Sequence, residues 1–469
     1  MSDHRVTMGL LFYPRGGSAQ VIKYLAAALE GRDWHTELVC GSLGRPGERS
    51  HAGTFFDGMD VRALDYSGAV EAYERGEDPI AFDPPLHPSF EDRAGVPDRV
   101  FSKVSPELGD HVVDAWARHV AGMTPEVLHL HHLSPLQEAF DRVAPSAPLV
   151  THLHGTDLKM IDRIDTGEDD GPHAKHWGDR LRAAAELSDR FIVISPHDRD
   201  EAKRLLGAEA EWIPNGVDTD LFDREPLGHD ERLQRWREWL VDDPRGWAPG
   251  GEPGSVRYAE ADLEAFSGLG PVLIYVGRYT EVKRIPLLMR AYARAKPRFE
   301  MRAPLVLLGG YPGEWEGPHP LEVIEDLGVD DVFLAGWRGH RDLPRGLNAS
   351  DVVVLPSVRE QFGQVLVEGM ACGLPVIAKD AYGPAEIVDH GETGWLVPPD
   401  DEDALADALA DAVNDPGKRA RKGDAAYEVS HERYAWPSLA ADVAAVYDRV
   451  RSGPYAPARV EHSVSDQKV

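Results

Sequence analysis

Residues Pro356–Pro399 read PSVREQFGQVLVEGMACGLPVIAKDAYGPAEIVDHGETGWLVPP, and their pattern decides the fold. The apolar run Val352–Leu355 just before them predicts a buried strand. Leu366–Ala371 predicts a helix that Gly373 and Pro375 end. Glu360 then lies in a strand-to-helix loop, and Glu368 lies one to two turns into the helix. Phe362-Gly363-Gln364-Val365 between them offer backbone N–H groups at a helix N-terminus, a ready anion site. A diphosphate would satisfy those donors. A carboxylate further along could accept from the two hydroxyls of a ribose, and the loop carboxylate could reach a sugar beyond the phosphates. The arrangement suits a nucleotide-diphosphate sugar; an acidic helix with a glycine-loosened start would show the same spacing.

Strand and helix alternate on both sides of this stretch. Downstream of residue 268, strands are predicted at Val272–Val276, Leu305–Leu308, Val332–Leu334, Val352–Leu355 and Pro375–Ala378, with an amphipathic helix at Leu405–Val413. The first half opens with a strand at Val6–Tyr13, a turn at Pro14–Ser18 and helical spacing over Ala19–Leu29. Strands follow at Thr36–Cys40, Val127–His131, Leu149–His154 and Phe191–Ser195. The pattern predicts an α/β protein of two Rossmann-like domains, with parallel sheets and helices on both faces. The boundaries are 1–218 and 219–435, with Asn215–Phe222 as the crossing and 453–469 as a frayed polar tail. Residues 43–125 read as loops and short elements, and 225–268 as an insertion, helical around Asp230–Leu240.

Composition narrows the class. At 469 residues, two domains are the natural expectation. A net charge of −30 repels nucleic acid and anionic membranes, so neither is an expected partner. The two cysteines, Cys40 and Cys372, fall in different domains, which points to a reducing cytoplasm rather than a disulfide framework. No run approaches the ~20 apolar residues of a membrane span.

Other segments carry chemistry. Arg278 and Lys283 follow a strand end and would put two cations near a leaving diphosphate. Gly16-Gly17 after the first strand would let backbone approach a phosphate or sugar. His152 and His154 alternate on one strand, and His131-His132 end another. Parallel strands could gather such imidazoles around a metal. No Cys joins them, however, and strand-end imidazoles also serve as polar caps, so no metal is assigned.

The Glu-x7-Glu run with its Phe-Gly, followed by Ala-x-Gly-x-Pro-Val-Ile, resembles the retaining glycosyltransferases of family 4. His154-Gly155-Thr156-Asp157, Pro214-Asn215-Gly216-Val217-Asp218, Gly277-Arg278 with Lys283, and Gly16-Gly17 fit the same family. The resemblance spans roughly residues 5–450. It implies a GT-B fold: two Rossmann-like domains across a cleft, with a final helix near 436–452 packing back on the first domain. It implies transfer of a hexosyl group from a nucleotide-diphosphate sugar, UDP-glucose being the first candidate, to an acceptor expected to be soluble. His154 and Glu360 would hold the sugar, Arg278 and Lys283 the diphosphate, and Glu368 the ribose. Phe362, Gly363, Gln364 and Val365 would meet the phosphates, and Gly16-Gly17 would close over the donor. The backbone of the run after the strand at Val332–Leu334, which includes Arg338, would meet the nucleobase, a contact that leaves no side-chain code. No metal or other cofactor is implied, because Arg and Lys do the charge work. Arg284 stands where the family often has Gly. A nucleotide-sugar epimerase, a pseudo-glycosyltransferase or a non-catalytic sugar-binding protein would share much of this pattern.

Overall fold

The computed structural model describes residues 4–91, 96–313 and 315–452. The expected frayed tail at 453–469 lies outside them. Two compact units divide the chain: one takes residues up to Pro214 together with those from Pro437 on, and the other is Asn215–Trp436.

The first unit holds seven strands: β1 (His4–Leu10), β2 (Trp34–Ser42), β3 (Asp60–Asp65), β4 (Val127–His131), β5 (Leu149–Leu153), β6 (Arg190–Val193) and β7 (Ala210–Trp212). They form one parallel sheet in the order β3-β2-β1-β4-β5-β6-β7. The second unit holds β8 (Leu273–Val276), β9 (Leu305–Leu308), β10 (Val332–Gly336), β11 (Val352–Leu355), β12 (Val376–Lys379) and β13 (Gly394–Val397). Their order is β10-β9-β8-β11-β12-β13, again all parallel. The central strands read as unbroken apolar runs because helices cover both sheet faces. Strand order reverses beside β1 and β4 in one unit and beside β8 and β11 in the other. Loops leaving those strands diverge, and the crevice they open is where such sheets bind ligands.

The region read as loops is more ordered than its composition suggests. It supplies edge strand β3 and the helices Ser67–Glu74 and Pro106–His119. The second of these starts on Ser105, whose hydroxyl accepts the Leu108 N–H, and it buries Val112, Val113 and Trp116. Gly109 and the acidic residues around it mask that apolar spacing in the sequence. The insertion has a helix at His229–Arg237 and buries Trp236, Trp239 and Trp247. Tyr258 Oη accepts the Leu334 N–H at 2.7 Å, so the insertion covers edge strand β10, whose backbone would otherwise be unpaired. The sequence reading also lacked β13 and the helix Pro416–Arg433. The last helix, Trp436–Ser452, joins the first unit from Pro437 on, and its Tyr447 packs on Trp34 with ring centres 4.8 Å apart. Among the described residues no helix is long and apolar enough to cross a membrane.

Candidate active site

In the second unit the site grows from the loops after β8 and β11, the neighbouring strands where order reverses. After β8, Tyr275 Oη donates to the Arg278 carbonyl at 2.7 Å and fixes the turn. The Arg278 side chain is exposed and has no ion-pair or hydrogen-bond partner among the described residues. Glu281–Lys283 form one tight turn. The Val358 N–H donates to the Val282 carbonyl at 2.9 Å, joining the two loops. Across that join Lys283 Nζ pairs with the Glu360 carboxylate. Arg284 adopts φ 54°, left-handed backbone that explains why a glycine serves well there.

The second loop ends on Gly363, whose φ of 106° suits a residue without Cβ. It caps the helix Gln364–Ala371 with no side-chain hydrogen bond, so the first N–H groups of that helix face outward without an intrahelical acceptor. Gln364 Nε2 donates to the Gly216 carbonyl at 2.8 Å, which ties the helix start to the Asn215–Asp218 turn. Val365 is half-buried one residue further on. The Phe362 ring is buried, 6.0 Å from that of Tyr434, so its side chain is packing and only its backbone is available. Glu368 is 3% exposed, and its Oε1 lies 2.9 Å from Nε2 of His340. A buried carboxylate needs a donor, and His340 supplies one. Sequence reasoning missed His340; its only local signal is a place just beyond a strand's carboxyl end.

The Arg338 side chain is committed to the insertion. It is 5% exposed, with Nη1 donating to Asp243 Oδ2 at 2.6 Å and Nη2 to the carbonyls of Asp243 at 2.5 Å and Trp239 at 3.1 Å. Its donors hold the insertion against the loop after β10, so any nucleotide contact at this loop falls to the backbone. The reason is an acidic partner about a hundred residues upstream, which no local pattern announces.

The first unit gathers imidazoles where β4 and β5 end. His131 and His152 are register partners, and alternation along the strands puts His129, His131, His152 and His154 on one face. Nδ1 of His131 lies 2.9 Å from Nε2 of His154, and Nδ1 of His129 lies 2.6 Å from the Tyr447 hydroxyl. Burial disfavours the charged rings: His129 is pushed down to about 3, and His131, His152 and His154 are held well below the usual histidine value. These rings are neutral at pH 7. Ring nitrogens of His129, His131 and His152 lie within 4.8 Å of one another. The His129 and His152 rings are 2° from parallel, and that of His131 lies 26° and 25° from them. An ion lies in the plane of each imidazole it binds, so near-parallel rings can share one only in a flat set, not in the tetrahedron of a typical zinc site. Gly16 and Gly17 open the helix Gly16–Glu30 after β1, and a Cβ on either would meet nothing within 4 Å.

Comparison with known proteins agrees with this architecture. The family description "Glycosyl transferases group 1" matches residues 264–429, and "Glycosyltransferase Family 4" matches residues 15–221. D-inositol 3-phosphate glycosyltransferase of Kribbella flavida is 31% identical over 338 residues, covering 69% of this chain and 70% of that protein. N-acetyl-alpha-D-glucosaminyl L-malate synthase of Bacillus anthracis is 24% identical, covering 69% of this chain and 74% of that protein. Among solved structures, sucrose-phosphate synthase from Thermosynechococcus elongatus superposes with a TM-score of 0.67 at 20% identity, covering 95% of this chain and 99% of that one. Two parallel sheets, each with its loops gathered at the order reversal, and these matches along both halves lead to one conclusion: the chain is a glycosyltransferase of family 4 with the GT-B fold.

Proposed function

We propose that the protein moves a hexosyl group from a nucleotide-diphosphate sugar to an acceptor hydroxyl, with retention at the anomeric carbon and without a metal in the transfer step. One observation carries the reading: Arg278 and Lys283 stand at the same sheet reversal as the uncapped helix start at Gly363. As the sugar–phosphate bond breaks, charge grows on the departing diphosphate. Fixed cations and backbone donors there lower the barrier, because they need not reorganise. Glu368, oriented by His340, is the ribose acceptor in this reading. Glu360 is paired with Lys283, which suits a sugar-positioning carboxylate better than a nucleophile. Retention then follows a front-face course in which the leaving phosphate takes the acceptor's proton. His154 holds the sugar as a neutral hydrogen-bonding ring.

UDP-glucose is the first donor to try. The acceptor is read as a small anionic molecule, since the names of the similar enzymes include D-inositol 3-phosphate and L-malate. The test is nucleoside diphosphate release from UDP-, GDP-, ADP- and TDP-sugars, with inositol phosphate, malate or no acceptor. One base should support release that depends on an acceptor. Failure to bind or turn over any of the four overturns the proposal. An epimerised donor formed without acceptor would move the protein to the epimerase reading.

A further inference from the structure

We propose that His131 is a positioning residue: it fixes the proton of His154 on Nδ1, so that this ring meets the transferred sugar as a hydrogen-bond donor. The sugar contact rests on the glycosyl-transfer reading above; the tautomer does not. Nδ1 of His131 and Nε2 of His154 are 2.9 Å apart, while the ring centres are 5.2 Å apart and the planes 23° from parallel. The nitrogens are closer than the centres by the radii of both rings, so the two imidazoles meet edge to edge in nearly one plane. That is hydrogen-bond geometry, and it needs one N–H facing one bare nitrogen.

Two tautomer pairs satisfy the contact. In one, His131 donates from Nδ1 and His154 carries its proton on Nδ1. In the other, His154 donates from Nε2 and His131 carries its proton on Nε2. Both residues are buried, and Nε2 of His131 meets no hydrogen-bond partner among the described residues. The second pair would leave that nitrogen as a buried N–H with nothing to accept it. The first leaves only a bare lone pair there. Orphaned buried N–H groups are rarer than unsatisfied acceptors, so His131 is the donor and the proton of His154 sits on Nδ1. The rings of His152 and His132 flank that of His154, each with centres 4.6 Å away, and hold it in this plane. Nδ1 of His154 is then the nitrogen left for a ligand. A sugar hydroxyl that accepts from it is fixed in rotation and keeps its own proton for another acceptor. A ring free to exchange tautomers would fix neither.

The test is nitrogen-15 NMR of the full chain with labelled histidine at pH 7, the His154 signals being assigned by their loss in His154→Asn. The wild type should show Nδ1 of His154 protonated and Nε2 bare, and His131→Leu should mix the two tautomers. Transfer and UDP binding are measured on the same proteins. His131→Leu should lower kcat about tenfold, the scale of one hydrogen bond, with UDP affinity unchanged. His131→Asn, whose amide can donate from the place of Nδ1, should recover most of that loss. A wild-type proton on Nε2 of His154, a tautomer unmoved by His131→Leu, or equal kcat in the wild type and the leucine variant overturns the proposal. Absence of wild-type transfer from every nucleotide sugar strikes the glycosyl-transfer reading instead, while the tautomer still decides what His131 does.

Discussion

The two units place opposite chemistries at equivalent positions of equivalent sheets. Where order reverses beside β1 and β4, the wall is made of buried imidazoles held neutral. Where it reverses beside β8 and β11, the wall is ionic, with Arg278 open to solvent and Lys283 paired with Glu360. The shared fold fixes only where a site can form. The residues ending each strand decide whether that place is neutral and imidazole-lined or ionic.

Acid should break this contrast most strongly. Burial depresses the folded-state pKa values of His129, His131, His152 and His154, that of His129 to about 3, so their contribution to stability is present above the unfolded value near 6.5 and is lost as pH falls below it. At pH 5 each ring costs about 2 kcal/mol relative to the protonated unfolded chain. Hydrogen exchange at pH 7 and pH 5 should show β4 and β5 opening before β8 and β11. Equal loss in both units would contradict the neutral-wall account.

The next largest effect falls on chemistry. Arg278→Ala should lower transfer about 10²–10³-fold, the scale for removing one transition-state donor, and Glu368→Ala should lower it through weaker nucleotide binding, while circular dichroism shows an intact fold. Near-normal turnover in either variant would refute the diphosphate and ribose assignments. Gly363→Ala should do less. Its Cβ would lie 3.1 Å from Leu366 Cδ1 in left-handed backbone, so the helix start must shift, at a cost of about 1–2 kcal/mol. UDP affinity measured by calorimetry should fall about tenfold; an unchanged value would free the helix start from its role.

The smallest effect sharpens the comparison within the first unit, which shifts even a carboxyl group towards its neutral form. Burial pushes Asp198 up to about 7, with Ser195 donating to it at 2.9 Å. A raised folded pKa gives stability that is full below the unfolded value near 4 and is lost as pH rises through about 7. Asp198→Asn should flatten that slope, removing about 1 kcal/mol of the loss between pH 6 and pH 8. Urea unfolding at pH 6 and pH 8 checks it, and identical slopes in the two proteins would remove the effect.

Sequence legibility followed the range of each signal. The local elements of the second-unit candidate site were readable because Glu360, Gly363 and Glu368 lie in one run, and a turn and a helix start are set by near neighbours. The strand end and turn that carry Arg278 and Lys283 were readable for the same reason. The partner of the Arg338 side chain was not legible because Asp243 sits in an insertion with no fixed pattern, and His340 was missed because only folding brings it to Glu368. Similarly, nothing near His129 signals that Tyr447, from the last helix, will reach it. The strands were legible as apolar runs. Edge strand β3 was not, because most of its side chains lie outside the core.

The most direct measurement of the central claim is backbone hydrogen exchange with and without a bound nucleotide sugar. The account predicts slowed exchange at Gln364 and Val365 and across Gly277–Lys283, with the rest of the second unit little changed. Saturating binding that leaves those amides unaltered would contradict it.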